Sequence, residues 1–356
     1  MINSTSMSSR VKNMIEQMME VNGGKDIEGF IHSVFDYACN IQVSDKDLIG
    51  LISKEYGDNP YSISLDLPPG QTMKKLNMEQ GMRVIINNKS IRSVAGHFYI
   101  NLQGADSWEP GLPKEYNDLV DRNQLQSNLL EIMGTLLRKG NFLGIGPLIV
   151  DYPPIIKEFE INDFENSIKV NHYSSYISPR IKNLLYGIIK DDQVSIEKIL
   201  TGIVGFGPGL TPSADDLLVG LLATLHYLGQ YYKMEIKAIS YLKKSLIDQG
   251  LTNQTTIVSR QMLKAAINGE FARSIKELSI AMIASKDRKE IERAVLAAIN
   301  LGSTSGTDTL VGLLLGAYVI KKIKIKKEEN YGSTCGSKKE HILRFGYIND
   351  SNKRIK

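Results

Sequence analysis

Cysteine is almost absent: Cys39 and Cys335 are the only two among 356 residues, far apart and in unlike contexts. That excludes a disulfide framework and a cysteine-based metal knuckle, and it fits a reducing compartment. Long apolar runs are missing too. The longest, Leu310 to Ile320, has eleven residues including two glycines, well short of the roughly 20 a membrane-spanning helix needs. Met1-Ile2-Asn3-Ser4-Thr5-Ser6 shows no basic stretch leading into an apolar one, so no signal peptide is expected. Most of the chain also lacks a basic face. Its formal charge of +4 is unevenly spread: residues 321–356 hold eleven Lys/Arg against four Asp/Glu, a net of +7, which leaves the other 320 residues at −3. Nucleic-acid binding by this mildly acidic body is not expected. No P-loop, dinucleotide fingerprint, Ser/His/Asp or Cys/His arrangement stands out. The expectation is a cytoplasmic protein with no metal site, no cofactor, no membrane segment and no nucleic-acid partner.

What is present is an ordinary globular composition, 42% hydrophobic and 23% charged, enough for a sizeable core and, at this length, for two domains. Val11 to Val21 reads as a short amphipathic helix. The runs Phe30–Phe35, Ile41–Val43, Tyr61–Leu67, Val84–Ile86 and His97–Leu102 read as strands, separated by turn-formers such as Gly57-Asp58-Asn59-Pro60. Past Trp108-Glu109-Pro110-Gly111 the apolar period becomes helical. Helices are expected over Asn123–Arg138, Arg180–Ile189, Val194–Leu200, Ser213–Tyr227, Ile236–Ile247, Thr256–Ile267, Arg273–Ile283, Lys289–Leu301 and Ser305–Ile320, whereas Asp151 to Tyr176 resists assignment. The fold class is α+β. A small antiparallel β sheet or barrel module with a leading helix occupies 1–110, and a larger α-helical domain occupies 111–325. Residues 326–356 form a basic tail, in which Ile342–Tyr347 reads either as a strand or as disorder.

The most informative feature is a repeat. Thr211-Pro212-Ser213-Ala214-Asp215-Asp216-Leu217-Leu218-Val219-Gly220 lies without a gap over Ser303-Thr304-Ser305-Gly306-Thr307-Asp308-Thr309-Leu310-Val311-Gly312. Each copy reads as small polar residues opening an apolar helix, and the first has a glycine-rich approach, Gly205-Phe206-Gly207-Pro208-Gly209. Either Thr211 caps with Pro212 at the first helical position, or Ser213 caps with Asp216 three residues on. Gly220 and Gly312 fall four residues after Asp216 and Asp308, so each shares a stripe with its carboxylate. A mid-helix glycine costs about 1 kcal/mol against alanine, which suggests that another backbone comes close there. If the helices cross at these glycines, both N-termini face one pocket, with Ser213 and Ser305 lining it.

Such a pocket suits a small anion. One helix end contributes about 0.3–1 kcal/mol, and millimolar affinity needs about 4, so charge-assisted hydrogen bonds of about 1.5–3 kcal/mol each must contribute. Gly207, Pro208, Gly209, Thr211, Ser213, Ser303, Thr304, Ser305 and Gly306 are the candidate binding residues, all but Pro208 carrying an N–H or hydroxyl donor. Asp215, Asp216 and Asp308 repel an anion unless they are capped or accept N–H bonds, so a ligand with an anionic group beside an NH₂ group fits best. A Mg²⁺ site is weaker, because Asp215 and Asp216 on successive helix residues point apart. Thr255, Thr256 and Ser259 form a third hydroxyl cluster at a helix start. His226 reads as structural, and Gly144-Ile145-Gly146-Pro147 as a lone turn.

The string Gly205 to Gly220 closely resembles the signature of the AllH-like family, and Leu301 to Gly312 resembles its second signature. Thr255-Thr256-Ile257-Val258-Ser259 through Phe271 is similar to its middle block. The resemblance covers roughly residues 200 to 320. It implies one of three different subunits of an oxamate carbamoyltransferase of allantoin and purine breakdown, with an FdrA-like subunit and a second companion subunit as partners. The implied reaction moves the carbamoyl group of oxalurate to phosphate, giving oxamate and carbamoyl phosphate. These small anions carry N–H groups, the ligand type argued above. Preorganised N–H donors can stabilise the developing charge without a protein nucleophile, so no catalytic residue is assigned. The alternative is a non-catalytic anion-binding or scaffold subunit.

Overall fold

The computed structural model describes residues 2–113, 115, 116, 118–151 and 168–345. Nine strands come first: β1 (Ile2–Ser8), β2 (Ile27–Val34), β3 (Ala38–Gln42), β4 (Leu48–Ser53), β5 (Ser62–Asp66), β6 (Arg83–Ile86), β7 (Ser90–Ser93), β8 (Tyr99–Asn101) and β9 (Asp106–Trp108). Their order β5-β4-β3-β2-β6-β7-β8-β1 closes on itself because β1 also pairs with β5, Asn3 opposite Asp66 and Met7 opposite Ile63. The result is an eight-stranded barrel-like sheet, with β9 continuing beside the second half of β1. Closure removes the exposed edges that would otherwise invite aggregation. Ile31, Ile41, Leu51, Ile63, Val84 and Ile100 are among the fully buried side chains inside it. The sequence led to the expectation of an antiparallel sheet or barrel; the barrel is there, but its sheet is mixed. β4 runs parallel to β5, and β1 runs parallel to β8 and β9.

Strands β1 and β4 escape the sequence pattern for opposite reasons. β1 is mostly polar, and Ser4, Ser6 and Ser8 are buried only because they find partners, such as Asp58 for Ser6 and the Pro60 carbonyl for Ser8. β4 is apolar on both faces and so shows no alternation, being covered by the barrel interior on one side and by a helix on the other.

Eleven α-helices are present among the described residues. α1 (Ser9–Val21) leads into the barrel, and α2 (Arg122–Lys139), α3 (Leu148–Asp151), α4 (His172–Lys190) and α5 (Gln193–Leu200) follow it. Next are α6 (Ser213–Tyr231), α7 (Lys237–Lys243, passing into a π turn over Lys244–Asp248), α8 (Ile257–Ile267), α9 (Arg273–Ala284), α10 (Arg288–Ile299) and α11 (Ser305–Phe345). α4 starts earlier than the expected Arg180, since Asn171 and Ser174 form a reciprocal capping box and the helix runs through Pro179. The ambiguous stretch 151–176 is helical at its ends, and 152–167 lies outside the described residues.

α11 is the larger correction. It does not stop at Ile320, and the segment read as a basic tail continues it to Phe345; residues 346 and 347 of the expected strand lie outside the described residues. Up to Glu329 the charges form the solvated face of that helix. Lys324 pairs with Glu328 at 3.4 Å and lies 4.8 Å from the Tyr232 ring. The apolar run Leu310–Ile320 is buried on every side of its helix, as is most of α6. A helix apolar all round belongs in the middle of a helical layer, and α6 and α11 are the two central helices, in extensive contact along their first halves. No helix among the described residues is long and apolar enough to cross a membrane.

α8 ties the barrel to these central helices. The Gln261 side-chain amide donates to the Leu48 carbonyl of β4 at 3.1 Å, while the first turn of the same helix reaches α6. Two ion pairs flank that junction, Arg10 with Glu270 and Arg273 with Asp58 at 2.6 Å.

Candidate functional site

Glycine lets α6 and α11 touch backbone to backbone. A Cβ on Gly220 would lie 2.8 Å from the Leu313 nitrogen and closer still to the Thr309 carbonyl oxygen. One on Gly312 would lie 2.8 Å from the Leu217 carbonyl carbon, inside the reach of any side chain. Exchanging the two copies of the repeat carries Gly220 into Gly312 and Leu217 into Thr309, so these are one contact seen twice. Gly316 faces Thr224, whose hydroxyl donates to the Leu313 carbonyl at 2.8 Å. The crossing therefore has a local pseudo-twofold axis, and it sets both N-termini side by side.

Neither expected cap is used on α6. Pro212, extended at φ −54° and ψ 137°, occupies the N-cap position without a side-chain bond, and Ser213 is the first helical residue. Gly207 makes room for that start: at φ +117° it avoids a Cβ that would sit 2.7 Å from the Ser213 nitrogen. The first-turn amides are largely taken up by backbone: Asp215 and Asp216 donate to the Pro212 carbonyl at 2.9 and 3.1 Å, and Ala214 to the Phe206 carbonyl at 3.0 Å.

Across the axis each carboxyl looks at the other helix's first serine. Asp216 faces Ser305 and Thr211, whose hydroxyls are themselves 2.9 Å apart. Asp308 faces Ser213 and Thr304, with the amides of Gly146 and Ile145 beside them. None of these donors meets Asp308 in hydrogen-bond geometry: both of its oxygens are buried without a partner, as is Oδ2 of Asp216. Burial, the dominant cause, pushes the Asp216 carboxyl well above the usual carboxylate range, and the nearby Asp308 and Asp215 charges add to it. Burial likewise raises Asp308 to about 7 from an ordinary 3.8, against the opposing pull of the Ser213 and Thr304 hydroxyls.

That shift has a sign for stability. A carboxyl whose folded-state value is raised keeps its proton where the unfolded chain has lost it, so stability falls as pH climbs from about 4 to about 7 and levels off above. Each pH unit inside that window costs up to about 1.4 kcal/mol. Asp308→Asn is expected to raise the melting temperature more at pH 8 than at pH 5, which thermal scans at the two values check.

Asp215 points the other way and is fully satisfied. It accepts from the Gly205 amide at 2.8 Å, from Ser259 Oγ at 2.6 Å and from Thr255 Oγ1. Thr256 caps α8 by accepting from the Ser259 amide at 3.1 Å, and its hydroxyl donates to the Leu210 carbonyl. The third hydroxyl cluster is thus a buckle that fixes the loop 205–210 onto α6. Of the expected ligand contacts, Pro208, Gly209 and Ser303 are exposed, while Gly207, Thr211, Thr304 and Ser305 are half-buried. Ser213, Asp215, Asp216, Gly306 and Asp308 are buried.

One contributor was missed. The loop 141–147, of which Gly144-Ile145-Gly146-Pro147 was read as a lone turn, wraps the second helix start. A Cβ on Gly144 would lie 2.8 Å from Asp308 Oδ1. The Asn141 amide donates to Thr307 Oγ1 at 2.8 Å, its side chain to the Ser303 carbonyl at 2.9 Å, and Asn171 holds the Gly144 carbonyl at 2.7 Å. The glycine spacing was the one signal available, and nothing in it names Asp308 as the neighbour. Beside the first helix start, Phe206 stacks on Tyr176 at 5.3 Å.

Among the described residues no group of three or more His, Cys, Asp or Glu is placed to hold a metal ion. Two surface clefts of about 220 and 290 Å³ flank the Lys321–Lys327 part of α11, some 24 Å along the helix from its first turn by the 1.5 Å rise (about 16 residues). They lack the paired hydroxyls and carboxyls of the helix starts.

Two family models match the chain. One, described as oxamate carbamoyltransferase subunit AllH, covers residues 203–317, which includes both helix starts and the α8 buckle. The other, the AllH family N-terminal domain, covers residues 3–107, which is the barrel-like sheet. No solved structure matches the chain significantly.

Proposed function

The chain belongs to the AllH family, and from that premise we propose that it is the subunit of an oxamate carbamoyltransferase that holds the small anionic ligand at its crossed helix starts. In the reaction we assign, the carbamoyl group of oxalurate passes to inorganic phosphate. A carbon–oxygen bond forms, the carbon–nitrogen bond breaks, and the leaving nitrogen takes up the proton that the phosphate oxygen gives up. The products are oxamate and carbamoyl phosphate. An FdrA-like subunit and a second companion complete the enzyme in this reading.

The observation that carries it is the reciprocal arrangement of Ser213 with Asp308 and Ser305 with Asp216. It sets hydroxyl and N–H donors beside carboxyl acceptors, which matches a ligand with an anionic group next to an amide. Gly207, Pro208, Gly209, Ser303 and Gly306 supply backbone around it, and Asp215, Thr255, Thr256 and Ser259 hold the loop in place. A second reading, a non-catalytic scaffold, draws on how fully these groups are already buried against one another. Phosphate-dependent oxalurate cleavage by the three subunits, assayed with this one omitted, separates the cases. Loss of turnover while the other two stay associated supports the first reading; loss together with their dissociation supports the scaffold. Full turnover without this chain disposes of both.

A further inference from the structure

The loops and first turns that form the two helix starts contain no positive side chain, and the neighbouring α4 brings His172, next to the Asn171 that holds the Gly144 carbonyl, and Arg180, whose guanidinium lies over the Tyr176 ring at 4.7 Å. Residues 141–147, 203–217, 255–259 and 301–310 hold no Lys, Arg or His. Arg260, the next residue after the α8 buckle, is turned to the Thr252 carbonyl. The titratable groups facing one another are the acids Asp215, Asp216 and Asp308: α6 supplies the first two, α11 the third, and the three loops none. At the end of α10 the neighbours of Gly306 are the backbone carbonyls of Ala298 and Ile299. Asp215 is satisfied by three donors, but Asp308 is wholly buried with both oxygens unpartnered, and Asp216 Oδ2 is unpartnered too.

Resting on the reading above, we propose that Asp216 and Asp308 act together as a proton-holding pair, so that the site takes up its small amide-bearing carboxylate together with one proton. The physical reason is charge. An anion entering beside two ionised carboxylates, neither of which has a cation among the groups that act on it, meets repulsion in a medium of low dielectric. A protonated carboxyl removes that repulsion and becomes an O–H donor aimed at the anion. The other carboxyl then remains an acceptor for the ligand's NH₂ group. The upward displacement of both acids agrees with this, since burial already favours their protonated forms. Pro208, Gly209, Gly302 and Ser303, all exposed, mark the side from which the ligand reaches the pair.

The test is calorimetric titration of the assembled enzyme with oxamate, whose own carboxyl stays ionised, between pH 6 and 8.5 in two buffers of different ionisation enthalpy. Expected is uptake approaching one proton per oxamate at pH 8, with affinity falling about tenfold per pH unit above pH 7. Asp308→Asn keeps the shape and supplies an N–H donor, so its affinity is expected to vary less than about threefold over that range. Should that variant fail to assemble, the proton count of the unaltered enzyme decides alone. Oxamate binding with no proton exchange overturns the proposal and leaves the carbamoyltransferase reading standing. No binding, together with undiminished turnover when this chain is omitted, overturns both.

Discussion

Replacing Gly312 by alanine is expected to destabilise the protein by at least about 3 kcal/mol, the upper end of the overpacking range, and Gly220→Ala by as much. Overpacking is tolerated where a side chain can turn aside. Here the new methyl meets the Leu217 backbone in one case and the backbone of Thr309 and Leu313 in the other. Neither can give way unless the two central helices separate along their whole contact. Separation would loosen Leu217, Leu221, Leu313 and the other fully buried residues between them, each contributing about 1.5–3 kcal/mol when buried. Against a total stability of about 5–15 kcal/mol, such a loss leaves a substantial unfolded fraction at 37 °C. Gly111→Ala is the control: nothing lies within 4 Å of its added methyl and its φ is ordinary, so a change within about 0.5 kcal/mol is expected. Urea denaturation of the three variants checks the set, and a Gly312→Ala midpoint equal to that of the unaltered chain would refute the backbone contact.

The repeat made this crossing legible in advance. Two gap-free copies, each with a carboxylate four residues before a glycine, were enough to infer that the helices meet and that their N-termini come together. The opposite directions of Asp215 and Asp216 also followed from helix periodicity: one turns to α8 and the Gly205 amide, the other to α11. Local capping could not be read the same way. Thr211, Ser213 and Asp216 are all acceptable cap residues, and the tertiary bond between Thr211 and Ser305 outweighs the local preference. The loop 141–147 was opaque because its role rests on contacts across more than 160 positions of chain, such as Asn141 with Thr307. In the barrel, β1 and β4 hid behind polar and doubly apolar patterns. The extension of α11 past Ile320 was concealed by Gly332 and Gly336, which it passes through as helix.

The claim on which the account stands is that two sequence copies build one shared functional site. Ser213→Ala and Ser305→Ala remove one member of each reciprocal pair at the cost of a single hydroxyl. In the enzyme assembled with its companion subunits each is expected to lower the proposed phosphate-dependent oxalurate cleavage by about tenfold or more, with assembly by size-exclusion chromatography unchanged. Residues that act as a unit lose little more when both are removed, so the double variant is expected to fall within about threefold of the worse single one. Full turnover of the assembled double variant, or losses that simply multiply, would contradict the shared site.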